Sequence, residues 1–278
     1  MGTALAATVG GATVCWWRFL VALVAVELLH CGANAWSDVF DYRRGLDRTA
    51  LPVSGALSHG LYTEAQVRVR ALGLMLGGSL LGGALALSAG PGILWVGAAG
   101  GALALAYAAL KAVALGDLAV FVAFGPLIAL GAWIVQTASA SWIPAVWMMP
   151  FGLLVIAVLH ANNWRDIEQD RAAGVTTVAR RLGDRGSLVY YGLLVFGSFA
   201  LTGLLIARPV AGRRMPAGMG AVVLCLPLAM RLWGRARRRH APRRPLDFAT
   251  LDGATARFML PFGLLSLLGL VAHAIASK

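Results

Sequence analysis

The sequence is short of charge. Asp, Glu, Lys and Arg make up 13% of its 278 residues, against about a quarter in a soluble domain, while 59% are hydrophobic and the mean hydropathy is +0.75. Such a balance excludes a soluble globular domain and a disordered chain, and places the protein in a membrane. Acid is scarcer still, with 12 Asp and Glu facing 24 Lys and Arg. The densest basic run, "RARRRHAPRR" at 235–244, resembles a nucleic-acid patch in composition alone. Beside a transmembrane segment it sets topology or meets anionic lipid, so membrane lipids are expected as partners and nucleic acid is not. Cysteine is nearly absent. Cys15, Cys31 and Cys225 lie in apolar stretches without CxxC spacing or an even partner count, which suggests neither a disulfide framework nor a zinc site.

What the sequence does have is long apolar runs. Stretches long enough to cross a hydrocarbon core fall near 15–36, 67–88, 92–110, 117–136, 142–162, 187–207, 217–234 and 257–276. Residues 1–13 are apolar and small, but too short to cross and without the basic start of a signal peptide; they read as the end of a further helix. The expectation is one membrane-embedded domain over 1–278, an all-α bundle of about nine helices. Pro126, Pro150, Pro227 and Pro261 fall inside spans and predict kinks. Most Lys and Arg gather in 36–70, 163–186 and 231–257, with Lys111 at the turn after 92–110, and all four regions share one face if the spans alternate. The positive-inside bias makes that face cytoplasmic.

Two helix ends on this face are polar in a way that spanning does not require. In "NAWSDVFDYRRGLD" Asn34, Asp38 and Asp41 stand at i, i+4 and i+7; in "NNWRDIEQD" Asn162, Asp166 and Asp170 stand at i, i+4 and i+8. Helical spacing stacks each set on one face. The lead-ins "LHCGAN" and "LHANN" are also alike, which suggests a weak internal repeat with one site between the halves. A single acidic cluster usually pairs with nearby arginines on a solvated face. Two matched clusters, each with an Asn one turn upstream, argue for a shared ligand. Carboxylates held together repel unless a cation lies between them, and Mg²⁺ takes one or two carboxylates while filling its shell with water and phosphate oxygens. The implied substrate is a diphosphate, with Arg43, Arg44, Arg48, Lys111, Arg171, Arg180 and Arg181 near enough in sequence to meet its free oxygens.

These motifs resemble those of the UbiA superfamily of intramembrane prenyltransferases, whose nine helices carry N-x-x-x-D-x-x-(x)-D after the second helix and a second such motif after the sixth. The resemblance extends over nearly the whole chain. Within that superfamily "NNWRDIEQDRAAGVTTVARRLG" (162–183) and "ALGDLAVFVAFGPL" (114–127) are most similar to the menaquinone branch. It implies Mg²⁺-dependent transfer of a polyprenyl group to an aromatic quinone precursor such as 1,4-dihydroxy-2-naphthoate, in a bacterial cell membrane. Asp38, Asp41, Asp166 and Asp170 would hold metal and act in catalysis, and Asn34, Arg48, Tyr107, Lys111, Asn162, Asn163, Arg165, Arg171 and Arg181 would bind substrate. The stretch between Tyr107 and Gly116 is shorter than in similar proteins. The first helix also looks cut short, and the natural start is expected to lie upstream.

The chemistry is ionisation of an allylic C–O bond and attack of an electron-rich ring on the resulting cation, with water kept out. "GVTTVARRLG" (174–183) reads as a short helix capped by Thr176 or Thr177, able to cover the phosphates, and "TEAQ" (63–66) as a capping box. Glu27 and His30 share a face with Asn34; they would touch the acceptor ring or a proton, or merely tie helices together. His160 reads as a satisfied structural histidine, and Asp47 and Asp117 lie off both stacked faces. A different acceptor is the alternative within this class. A transporter is the alternative outside it, but that would place ionisable groups at mid-membrane on broken helices. The pattern is silent on isoprenoid length and oligomeric state.

Overall fold

The computed structural model describes residues 1–45, 57, 59–238 and 251–277, and the elements among them are helices with two isolated bridges. A short α1 (Gly2–Thr8) precedes α2 (Trp16–Arg43), α3 (Glu64–Ala89), α4 (Gly92–Ala112) and α5 (Gly116–Val122). A π turn (Ala123–Leu127) joins α5 to α6 (Ile128–Thr137). Then come α7 (Trp142–Trp147), α8 (Met149–Arg165), α9 (Ile167–Ala172) and α10 (Val178–Ala207). A 3-10 helix (Ala217–Cys225) leads into α11 (Leu226–Arg237), and α12 (Leu251–Ala276) follows. Seven of these segments are long and apolar enough to cross a membrane. Their outer faces carry large apolar side chains, with Leu87 92% and Trp95 80% exposed, as a lipid-facing surface requires. The chain is an integral membrane protein.

The remaining expected span, 142–162, is two helices. Its break lies at Met148 (φ −93°, ψ −1°), and Pro150 sits in the first turn of α8. Proline has no N–H to bond the preceding turn but loses nothing at a helix start, so the chain restarts there instead of kinking. The other prolines are absorbed locally: Pro126 in the π turn, Pro227 in the first turn of α11, and Pro261 within a continuous α12. The expected helix fragment at 1–13 is helical only over Gly2–Thr8, packed on α6 and α12.

A second correction concerns the stacked face of the second motif. α8 ends at Arg165, Asp166 (φ −97°, ψ 11°) stands between helices, and α9 restarts at Ile167. Aspartate competes for backbone donors and favours helix ends over interiors, and the break turns Asp170 into the protein. The first motif, by contrast, runs unbroken on α2. The capping box is present: the Thr63 hydroxyl accepts from Gln66 N–H (3.3 Å), and Thr63 N–H donates to the Gln66 amide oxygen (3.0 Å). Thr177 caps α10, whose first turn is set off by a kink at Gly183 (φ 63°, ψ −170°), a left-handed conformation that glycine alone adopts freely. That first turn is the short helix expected over 174–183.

The interior is apolar and closely packed. Trp164 of α8, Tyr191 of α10 and Phe258 and Phe262 of α12 form one core, and Leu5, Trp133, Trp147, Met219 and Leu270 form another. Buried hydroxyls are paired, as between Tyr191 and Thr255 (2.6 Å). The 3-10 helix lies against α12 so closely that a Cβ at Gly218 would strike the Gly269 carbonyl, and one at Gly269 would strike that of Gly218. Small residues at such a crossing let two backbones meet. Gly269→Val is therefore expected to separate the two helices and destabilise the protein by about 1–3 kcal/mol, read as a lower Tm of the detergent-solubilised protein.

Candidate active site

The two motifs meet across Lys111. Asp41 is buried on α2, and its Oδ2 accepts a 3.1 Å hydrogen bond from Lys111 Nζ in the last turn of α4. Asp170 of α9 is buried too and lies within electrostatic reach of Lys111, Asp41 and Asp166. Its Oδ2 accepts from the Thr177 hydroxyl at 3.1 Å. Burial pushes the Asp170 carboxyl up to about 6, against the pull of Lys111 and the Thr177 hydroxyl and with the push of Asp166 and Asp41.

A backbone strap fixes this meeting. Thr176 N–H donates to Ala112 O (3.0 Å), and Val113 and Thr176 form a parallel bridge, so the end of α4 is bound to the loop before α10. Between α4 and α5 the chain makes a tight turn in which Ala114 takes φ 64°, an uncommon value for a residue with a Cβ. Tyr107 and Lys111 consequently keep helical spacing on α4, one turn apart.

Around Asp166 the contacts are ionic. Arg165 Nε donates to Asp166 Oδ1 (2.9 Å) and Nη2 to Oδ2 (3.1 Å), while Nη1 donates to Asp252 Oδ2 (2.7 Å) and Nη2 also to Asn162 Oδ1. Asn163 is buried on the same turn. Asn34 and Asp38 remain exposed on α2, on a face shared with Glu27 and His30. The His30 ring meets Phe124 of the π turn edge-on at 5.2 Å, so this face looks across the bundle.

The arginines divide. Arg171 is exposed and paired with Glu168 (2.9 Å), and Arg181 is exposed with Nη2 donating to Val113 O (3.3 Å), beside the strap. Arg180 donates to Val175 O (2.7 Å), Arg44 to Ala108 O (3.4 Å), and Arg43 pairs with Glu64 (2.7 Å). Arg48 and Asp47 lie outside the described residues.

Three residues at the site were missed by helical spacing. Asp252, from the first turn of α12, enters through Arg165. Asp117, off both motif faces, is buried beside Tyr190 and has Oδ2 3.9 Å from His160 Nδ1. His160 Nε2 donates to Ser187 O at 3.3 Å, but Nδ1 and Asp117 Oδ2 lack hydrogen-bond partners, so this histidine is only half satisfied. Its signal was present in the sequence, since an acid within an apolar span is rarely idle. Thr177, read only as a cap, also holds Asp170.

The donor set suits a hard cation. Among the described residues no three His, Cys, Asp or Glu gather into one cluster, so a site built wholly from protein ligands is absent. Mg²⁺ needs only one or two carboxylates per ion, with phosphate and water for the rest. Two of the four acids already hold a positive group, Lys111 at Asp41 and Arg165 at Asp166, where a cation's charge would fall.

The UbiA prenyltransferase family model matches residues 1–251. The UbiA prenyltransferase domain-containing protein 1 of Xenopus tropicalis is 30% identical over 276 residues, covering 98% of this chain and 76% of that protein. The 1,4-dihydroxy-2-naphthoate octaprenyltransferase of Mycobacterium tuberculosis is 34% identical over 254 residues, covering 87% and 81%. Among solved structures, the apo form of a UbiA homologue from Aeropyrum pernix is similar in fold, with TM-score 0.70 and 18% identity over 98% of this chain and 94% of that one. With the family model matched over most of its length and curated relatives aligned to nearly all of it, this chain belongs to the UbiA prenyltransferase family and is a membrane-embedded aromatic prenyltransferase.

Proposed function

We propose that the protein transfers a polyprenyl group from a prenyl diphosphate to 1,4-dihydroxy-2-naphthoate, in menaquinone synthesis, at the cytoplasmic face of a bacterial cell membrane. The observation that carries this reading is the meeting of Asp41 and Asp170, from motifs in different halves of the chain, around one lysine. The naphthoate acceptor is favoured by the name of the mycobacterial relative together with the length of the second motif. The cytoplasmic orientation is supported by the positive-inside bias of the loops that carry both motifs.

In this reading Asp38, Asp41, Asp166 and Asp170 hold Mg²⁺, which supplies positive charge against the departing diphosphate. Lys111 exchanges Asp41 for a phosphate oxygen. Arg171 and Arg181, exposed at the mouth, meet the outer oxygens, and Arg48 belongs to the same set. Asn34, Asn162 and Asn163 donate amide hydrogens, and Tyr107 lies one turn above Lys111 to meet the head of the prenyl chain. The strap between Thr176 and Ala112 keeps the lid turn of α10 over the diphosphate. Apolar helix walls exclude water from the allylic cation, which would otherwise be captured as an alcohol.

Asp38→Ala and Asp166→Ala are each expected to lower turnover on the order of a thousandfold, since each removes a carboxylate that balances charge in the transition state. Prenyl-transfer assays at matched protein levels check this, and near-normal rates in both variants would remove the metal platform. EDTA is expected to stop the reaction, Mg²⁺ to restore it and Zn²⁺ to fail, with inorganic diphosphate competing against the prenyl donor in steady-state kinetics. Mass spectrometry of the product from membranes supplied with prenyl diphosphate and the naphthoate should show a naphthoate-derived product carrying one prenyl chain as the donor releases diphosphate; an unmodified naphthoate beside a prenylated acceptor of other mass would reassign the substrate.

A further inference from the structure

Arg165 makes a contact that neither motif accounts for. Both carboxylate oxygens of Asp166 are taken by its guanidinium, Oδ1 at 2.9 Å and Oδ2 at 3.1 Å. Each oxygen thereby spends one lone pair on the guanidinium, whose positive charge stands where a divalent cation would draw near. The third charged contact leads away from the motif: Nη1 donates to Asp252 Oδ2 at 2.7 Å, the shortest of the three. Asp252 does not depend on Arg165 for its position, because its Oδ1 accepts from Gly253 N–H at 2.7 Å in the first turn of α12. The side chains of Arg165 and Asp252 are 16% and 24% exposed, so the pair is largely shielded from water.

We propose that Asp252 is a positioning residue for the metal platform: it anchors Arg165 from outside both motifs, so that the guanidinium can release Asp166 to a divalent cation without leaving the site. The proposal rests on the metal reading given above. Arg165 and a cation, both positive, compete for the charge of Asp166, so the cation's affinity depends on what moving the guanidinium aside costs. With Asp252 in place, a displaced Arg165 keeps a short charged hydrogen bond and offers Nη2 to a phosphate oxygen. With Asp252 neutralised, release of Asp166 exposes a shielded guanidinium to a large loss of compensation, and Arg165 stays on Asp166. Removing a negative charge here weakens metal binding twice over, by lost attraction to the cation and by holding a competitor on Asp166.

The test is Mn²⁺ binding to the purified, metal-free full chain, followed by electron paramagnetic resonance with and without inorganic diphosphate. Asp252→Asn retains the Gly253 contact through its amide oxygen and is expected to weaken Mn²⁺ binding roughly tenfold, the usual size of an effect behind the ligands. Asp252→Glu, which keeps the charge, stays within about threefold of the wild type. Adding Arg165→Gln to Asp252→Asn removes the competitor and returns the affinity to wild type or tighter, whereas a structural defect at α12 would leave the double variant as weak as the single. Asp252→Ser, also suited to the first turn of a helix, replaces Asp252→Asn if the latter yields no folded protein. Equal Mn²⁺ affinity in wild type and the charge-removing variant, or a double variant no tighter than the single, overturns the proposal alone. A wild type that binds no Mn²⁺ with or without diphosphate overturns the metal reading and this proposal with it.

Discussion

Like charge held inside an apolar bundle is the constraint from which the architecture of the site follows. Asp41 and Asp170 are buried and close enough to repel, and Lys111 lies within electrostatic reach of both with its ammonium on Asp41. The side chains of Lys111 and Asp41 are 17% and 12% exposed, so water screens the pair weakly. Breaking such a pair by removing one partner costs roughly 3–5 kcal/mol. The strap from Thr176 to Ala112 and the Thr177 hydroxyl on Asp170 serve the same requirement. Each brings a neutralising or hydrogen-bonding group to an acid that the membrane interior would otherwise expel.

The helix breaks belong to this constraint. α2 runs straight through the first motif, presenting Asn34, Asp38 and Asp41 by spacing alone. The second motif cannot do so, because Asp166 must meet Arg165 while Asp170 turns inward to Lys111 and Thr177. The break between α8 and α9 separates the two directions. Further along, Gly183 sets the capped first turn of α10 at an angle to the membrane-crossing part, which leaves Thr177 and Arg181 beside the site. A regular helix would carry them away from it.

What could be read from the sequence was what depends on neighbours within a few residues. The unbroken spacing of Asn34, Asp38 and Asp41, the capping box at Thr63 and the cap at Thr177 are local and were legible. The split of 142–162 was half legible: Pro150 marked the place, but the choice between kink and restart depends on packing. Asp252 was illegible, because its role is a contact with Arg165 far away in the chain and no periodicity records it. Asp117 was set aside for lying off both motif faces, yet burial beside His160 and Tyr190 is a property of how α5, α8 and α10 assemble. Spacing along one helix reports a face; it does not report what another helix brings to it.

The charge balance also bears on how the two substrates of the proposed reaction would enter. Without a bound cation, two of the four motif acids are offset, Asp41 by Lys111 and Asp166 by Arg165. A diphosphate approaching alone would meet acids whose cations are occupied. A divalent cation approaching alone would have to displace Lys111 or Arg165 without a phosphate to receive them. Arriving together, each relieves the other's cost: the cation frees the basic side chains, and the diphosphate accepts them. Linkage then requires each ligand to raise the affinity of the other by the same factor. The proposed naphthoate acceptor is itself a carboxylate and brings no cation to offset the acids, so the arrival of the donor with its metal, and not the acceptor's, is what converts a partly neutralised site into one primed for ionisation.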